Sequence, residues 1–91
     1  MCTPELTVNN NGNCVMCVAE WFETGDVRRA TLQPGESYNT TTSSGSKFRA
    51  HNCDWDNLLF FEQHMMDCDD FVWNLSPDYC APTLNLSLIH I

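Results

Sequence analysis

From Val8 to Ala50 the chain is punctuated by turn signals at nearly even spacing. Asn10-Asn11-Gly12-Asn13, Glu23-Thr24-Gly25-Asp26, Gln33-Pro34-Gly35-Glu36 and Ser43-Ser44-Gly45 each sit between short runs of strand-forming residues. That rhythm belongs to a small antiparallel β-module. Glu5 to Asn9 sets Leu6 and Val8 against polar neighbours, and the Asn/Gly run that follows tolerates the positive φ of a tight reversal, so a first hairpin is expected there. Cys14 to Phe22 forms the next strand, with Val15, Cys17, Ala19 and Trp21 on one face and Cys14, Met16, Val18 and Glu20 on the other. Trp21 is expected to anchor the core.

Val27 to Leu32, Ser37 to Thr42 and Ser46 to His51 are the following strands, the last with Phe48 and Ala50 on one face and Lys47, Arg49 and His51 on the other. Between the first two, Pro34 and Gly35 occupy the central positions of a type II turn. Beyond Cys53 the pattern is ambiguous. Leu58-Leu59-Phe60-Phe61 reads as a buried strand, while Leu58, Phe61, Met65, Cys68 and Val72 fit a helical stripe equally well. The expectation is a strand at Leu58 to Glu62, an acidic loop through Asp67 to Asp70 and a last strand at Phe71 to Leu75, ended by Ser76-Pro77.

At 91 residues the chain is near the size at which a single core is marginal without staples. Its six cysteines, Cys2, Cys14, Cys17, Cys53, Cys68 and Cys80, read as a three-bridge framework in an oxidising compartment, although the opening Met1-Cys2-Thr3-Pro4 is no signal peptide. In a strand, Cys14 and Cys17 point to opposite faces, so two separate disulfide partners are expected rather than a redox or zinc half-site. Leu86 to Ile91 resembles the in-frame translation of a sequencing adapter. The expected domain is therefore residues 1–85 of a longer chain, with 86–91 a non-native tail; a genuine apolar terminal strand is the alternative.

A formal net charge of −8 argues against nucleic acid and against anionic membrane surfaces, both of which require clustered Lys and Arg. All four basic residues, Arg28, Arg29, Lys47 and Arg49, lie before Cys53, whereas Cys53 to Cys80 carries seven acidic residues. No run approaches the length of about 20 apolar residues that spans a bilayer.

The inward Trp21, the Gly25 turn, Thr31-Leu32-Gln33-Pro34-Gly35, and Gly45 followed by Phe48 make Trp21 to Asn52 resemble the central hairpins of the von Hippel–Lindau β-domain. The resemblance covers part of the chain, with Asp56-Asn57-Leu58-Leu59 as a weak extension. It implies a small β-sandwich that recognises an extended hydroxyproline peptide along one sheet. Where that family carries its hydroxyproline-contacting His, Trp and Ser, this chain has Ser46, Phe48 and Thr42. Losing the imidazole donor and the indole wall removes the groups that discriminate a hydroxylated ring, so the scaffold is expected without that ligand.

No catalytic grouping is legible. Ser46, His51 and Asp54 lack a nucleophile elbow, and the acidic loops lack the glycine and closing glutamate of an EF-hand. His51 and Cys53 with Cys14 and Cys17 match no recurrent zinc spacing. Neither enzyme activity nor a cofactor or metal is expected. Asn39-Thr40-Thr41 and Asn74-Leu75-Ser76 are glycosylation sequons, the second weakened by Pro77.

The expected fold is thus an all-β, disulfide-stapled antiparallel sandwich with an irregular or partly helical segment after residue 53. Its expected function is non-catalytic extracellular recognition of a peptide or protein on a sheet face through Tyr38, Thr42, Ser46, Phe48 and Trp55. The alternatives are a structural module without a specific ligand, in which Phe48 and Trp55 are buried, and a cytosolic zinc-stabilised domain.

Overall fold

The computed structural model describes residues 2–54 and 62–80. These residues form the strands β1 (Glu5–Asn10), β2 (Met16–Trp21), β3 (Val27–Leu32), β4 (Ser37–Thr41), β5 (Lys47–Asn52), β6 (Glu62–Met65) and β7 (Phe71–Leu75), followed by a 3-10 turn at Pro77–Cys80. One sheet has the order β4-β1-β7 and the other β3-β2-β5-β6. The pairings are antiparallel except that of β1 with β7, which runs parallel from Leu6 beside Phe71 to Asn10 beside Leu75. The architecture is a disulfide-stapled β-sandwich.

Strand alternation builds the core directly. Leu6 and Val8 of β1, Met16 and Val18 of β2, Phe48 and Ala50 of β5, and Trp73 and Leu75 of β7 all face inward and are buried. Phe48 joins the sheets, meeting Phe71 and Trp73 edge-on at centroid distances of 5.2 and 5.7 Å. His64 of β6 completes this cluster, 4.7 Å from the Trp73 ring. Such T-shaped contacts add about 0.5–1.5 kcal/mol each beyond the area they bury.

Two expectations are corrected here. Asn10 to Asn13 does not close a hairpin, because β1 and β2 belong to different sheets and the segment carries the chain across the sandwich. Buried Asn10 makes that crossing possible: its Nδ2 donates to the carbonyls of Cys14 (2.8 Å) and Leu32 (2.9 Å), and its Oδ1 accepts from Gly12 N (3.0 Å). Nor does Trp21 anchor the core. The inward face of β2 is Met16, Val18 and Glu20, which places Trp21 on the outside, and the core indole is Trp73.

The Gln33–Glu36 turn forms as expected, with Gly35 at φ 88° and Glu36 N donating to Gln33 O at 2.9 Å. It links β3 to β4, again across the sheets. The Gly45 turn, φ 89°, does the same between β4 and β5. The Phe71 to Leu75 strand matches its expected bounds. The expected strand Leu58 to Glu62 lies, apart from Glu62, outside the described residues, as do Trp55, Asn85 and the tail from Leu86 to Ile91.

Cys2–Cys68, Cys14–Cys80 and Cys17–Cys53 account for every cysteine, and Cys14 and Cys17 indeed take separate partners. The first two bridges each span 66 residues, and in the chain-entropy view a loop of that length removes about 4 kcal/mol of unfolded-state freedom. Disulfides of this kind persist in oxidising compartments. No helix among the described residues is long and apolar enough to cross a membrane.

The two tryptophans should separate cleanly in denaturant titrations of the oxidised protein. Trp73→Ala is expected to cost about 3–5 kcal/mol through an unfilled core cavity. Trp21→Ala should cost less than about 1.5 kcal/mol, the scale of a surface stacking contact. Equal losses would contradict the assignment of Trp73 as the core indole.

Candidate functional site

The outward face of the four-stranded sheet is organised by the same alternation that fills the core. Residues directly opposite one another in an antiparallel pair share a face, and here three rows of three stand side by side. Val27, Trp21 and Lys47 make the first row; Arg29, Ala19 and Arg49 the second; Thr31, Cys17 and His51 the third. The centre of this grid is Ala19, whose single methyl leaves a hollow among larger neighbours. The depression above it measures about 240 Å³ and is walled by Trp21, Arg29, Arg49, His51 and the half-buried Cys17.

Two covalent and electrostatic contacts hold the walls. The Cys17–Cys53 bridge closes one end of the grid. At the other, the Arg49 guanidinium stacks on Trp21 with its carbon 4.4 Å from the ring centroid. Stacking uses the face of the guanidinium, while its hydrogen-bond donors lie along its edge. Arg29 and Lys47 are exposed and form no ion pair with a described carboxylate.

Arg28 projects from the opposite face of β3. It stacks on Phe22 at 4.6 Å and donates to Thr40 Oγ1, tying β3 to β4. Three of the four Lys and Arg residues of this acidic chain therefore stand on one grid that contains no carboxylate. Burial and the neighbouring Arg49 both push the His51 pKa below its ordinary value of 6.5, and its Nδ1 is buried without a hydrogen-bond partner.

The residues expected to form the binding surface fall elsewhere. Thr42, Ser46 and Phe48 do come together, but inside the sandwich, with Phe48 and Ser46 fully buried and Thr42 nearly so. They present no sheet face to a ligand, which corrects their expected role. Tyr38 is half-buried, packs against the core, and buries its phenol oxygen without a hydrogen-bond partner. Trp55 lies outside the described residues.

Thr42 and Ser46 have a different task. Both hydroxyls donate to Oε2 of the fully buried Glu20, Ser46 at 2.9 Å, and the two hydroxyl oxygens are 3.1 Å apart. Glu20 Oε1 has no partner. The β4–β5 connection that supplies these hydroxyls is pinned by backbone bonds from Gly45 N to Met66 O and from Met66 N to Ser46 O, both 2.8 Å.

With every cysteine oxidised, no thiolate remains to bind zinc, and no group of three or more His, Cys, Asp or Glu side chains converges on a metal position among the described residues. The sequons at Asn39 and Asn74 lie on the outer strands of the three-stranded sheet, exposed. There Asn39 Nδ2 donates to Thr7 Oγ1 at 2.7 Å, and Asn74 Oδ1 accepts from Asn9 Nδ2 at 2.9 Å. Neither a family model, nor a curated protein, nor a solved structure matches the chain.

The grid was partly visible in the sequence. Alternation grouped Cys17, Ala19 and Trp21 on one face and Lys47, Arg49 and His51 on another, but not on the same side of one sheet. The signal available in the sequence was the restriction of all four bases to two segments, which become β3 and β5 on either side of β2.

Two measurements probe these contacts. Glu20→Ala should destabilise the fold by about 2–4 kcal/mol, since it opens a cavity and strands two buried hydroxyls. Isosteric Glu20→Gln should cost less than about 1 kcal/mol, because the shape and one acceptor are kept. Equal losses would mean that the hydroxyl contacts are incidental.

For His51, the lowered native pKa means that the unfolded chain binds a proton more readily. Its contribution to stability is present above pH 6.5 and declines as the pH falls from there through the native value. Denaturation midpoints of His51→Gln should therefore fall less between about pH 7.5 and 5.5 than those of the unaltered protein. Parallel curves would refute this.

Proposed function

We propose that the protein is a non-catalytic recognition module of an extracellular, oxidising environment that binds a peptide or protein partner on the outward face of its four-stranded sheet. The observation that supports this reading is the Ala19-centred grid, in which a stacked Trp21–Arg49 pair, Arg29 and His51 surround a hollow on an otherwise acidic chain. Trp and Arg are the side chains that dominate binding energy at protein interfaces, and a rigid, disulfide-anchored sheet holds them at little entropic cost. The hollow is below the range of about 300–1,000 Å³ typical of small-molecule sites, which fits one anchoring side chain of a larger partner better than a cofactor or metabolite.

The structural-module alternative draws its support from the burial of Phe48, but that residue now belongs to the core whichever reading holds. Selection of a random peptide library on the oxidised protein tests the proposal. Enriched peptides are expected to bind with micromolar affinity and to lose at least about tenfold on Trp21→Ala, the loss of roughly 1.4 kcal/mol. Failure to enrich any peptide, or enrichment insensitive to Trp21, would favour the structural module.

A further inference from the structure

The outer face of the three-stranded sheet differs from the grid on the other side of the sandwich. Register and alternation place Thr7 and Asn9 of β1, Asn39 and Thr41 of β4, and Val72 and Asn74 of β7 together on it. Five of these carry a hydroxyl or an amide, and the sixth, Val72, is 62% exposed. Two Asn-x-Ser/Thr triplets begin on this face, at Asn39 and Asn74, and the three disulfides fit the oxidising compartment in which such triplets are modified. The two are not equivalent. In an extended chain residues two apart project to the same side, so Thr41 stands beside Asn39 on the exposed face. Ser76 follows the end of β7 and the buried Leu75, and Pro77 restricts its backbone. Synthesis order separates them further. β1 takes β7 as a partner, and the Cys2–Cys68 and Cys14–Cys80 bridges close only once Cys68 and Cys80 have been made, a delay of several seconds after Asn39 at about 5–20 residues per second. Throughout that interval Asn39 lies in an unfinished sheet, accessible to a transferase, whereas Asn74 is made shortly before Cys80. The folded geometry also accommodates the product: Asn39 is exposed, and its Nδ2 carries two protons, of which Thr7 Oγ1 accepts one at 2.7 Å.

Resting on the extracellular setting of the reading above, we infer that Asn39, rather than Asn74, is an N-glycosylation site whose oligosaccharide covers the outer face of the three-stranded sheet and leaves the Ala19 grid as the bare face for the partner. The donor is a lipid-linked oligosaccharide diphosphate. Asn39 Nδ2 bonds to the anomeric carbon of the first sugar, the bond from that carbon to the diphosphate oxygen breaks, the lipid diphosphate leaves with the bonding pair, and one amide proton is released. The second proton remains for Thr7. Val72 stands in the same row as Thr7 and Asn39, about 10 Å from Asn39 at the usual strand spacing, so the first sugars laid across Thr7 cover its exposed isopropyl group. β4 is at the edge of its sheet among the described strands, where a bulky, hydrated group also opposes strand addition.

The test directs the full chain through the secretory pathway of a eukaryotic cell and maps sugar occupancy on the secreted, oxidised protein by mass spectrometry, after peptide N-glycosidase in heavy-oxygen water has converted each carrying Asn to labelled Asp. Occupancy is expected to be at least about fivefold higher at Asn39 than at Asn74. Asn39→Gln, and Thr41→Val, which keeps Asn39, should each abolish the Asn39 glycopeptide. On the unaltered protein, trimming the oligosaccharide enzymatically to its first sugar should shift the amide resonances of Thr7 and Val72 and leave that of Ala19 unmoved. A bare Asn39, equal occupancy at the two sites, or trimming shifts centred away from Thr7 and Val72 would overturn the inference while leaving the recognition reading intact. Library peptides that ignore Trp21 and bind only after trimming would instead sink the recognition reading and sustain the glycan.

Discussion

The orientation of β2 is the constraint on which the rest of this structure depends. With side chains alternating between faces, burying Met16 and Val18 forces Cys17, Ala19 and Trp21 outward, and also carries Glu20 into the interior. Either face of this strand could have been buried on hydrophobicity alone, since Val15, Cys17, Ala19 and Trp21 are as apolar as the other set. The choice is settled by what the partners supply: Thr42 and Ser46 bring hydroxyls to Glu20, and Phe48 brings an aromatic bridge to the opposite sheet. Reversing β2 would place a tryptophan where Trp73 and Phe48 already fill the space and would move its disulfide cysteine inside.

A core this small cannot hold two sheets together without help. Four of the connections, after β1, β3, β4 and β6, cross between sheets, so each must satisfy backbone groups that a hairpin would have paired locally. Asn10 does this at the first crossing with three hydrogen bonds from one buried side chain. At the third, Met66 exchanges backbone bonds with the Gly45 turn. The long-range disulfides fix the ends of the described region relative to this frame. Cys2–Cys68 ties the N-terminal segment to the β6–β7 loop, and Cys14–Cys80 joins the first crossing to the turn after β7. The resulting frame is held chiefly by contacts distant in sequence, which makes its outer faces rigid platforms.

Net charge is a poor guide to what such a platform meets. The value of −8 is a total over a chain with acidic residues in the loop from Asp67 to Asp70 and at the turns, while β3 and β5 raise Arg29, Lys47 and Arg49 on one face. Whole-molecule charge sets the long-range field, but contacts within a Debye length follow the local arrangement. An acidic protein can in this way carry a locally basic face.

The sequence by itself determined the punctuation and most of the strands. Val27 to Leu32 and Phe71 to Leu75 have their expected bounds, the Pro34-Gly35 turn has its expected form, and Phe48 and Ala50 share one face of their strand, because turn chemistry and alternation are local properties of neighbouring residues. The separate partners of Cys14 and Cys17 were also expected, although Cys14 lies just before β2 rather than within it. What only the tertiary structure decided is which strands share a sheet and which face of each is buried. A turn of Asn and Gly residues reverses the chain whether the next strand pairs with the last or crosses to the other sheet, so β1 and β2 looked like a hairpin. A glutamate on an alternating strand looks solvent-facing until two hydroxyls from a segment more than twenty residues away arrive to receive it. The grid around Ala19 exists only after β2, β3 and β5 are in register, since each strand carries one third of it and no single segment encodes the hollow.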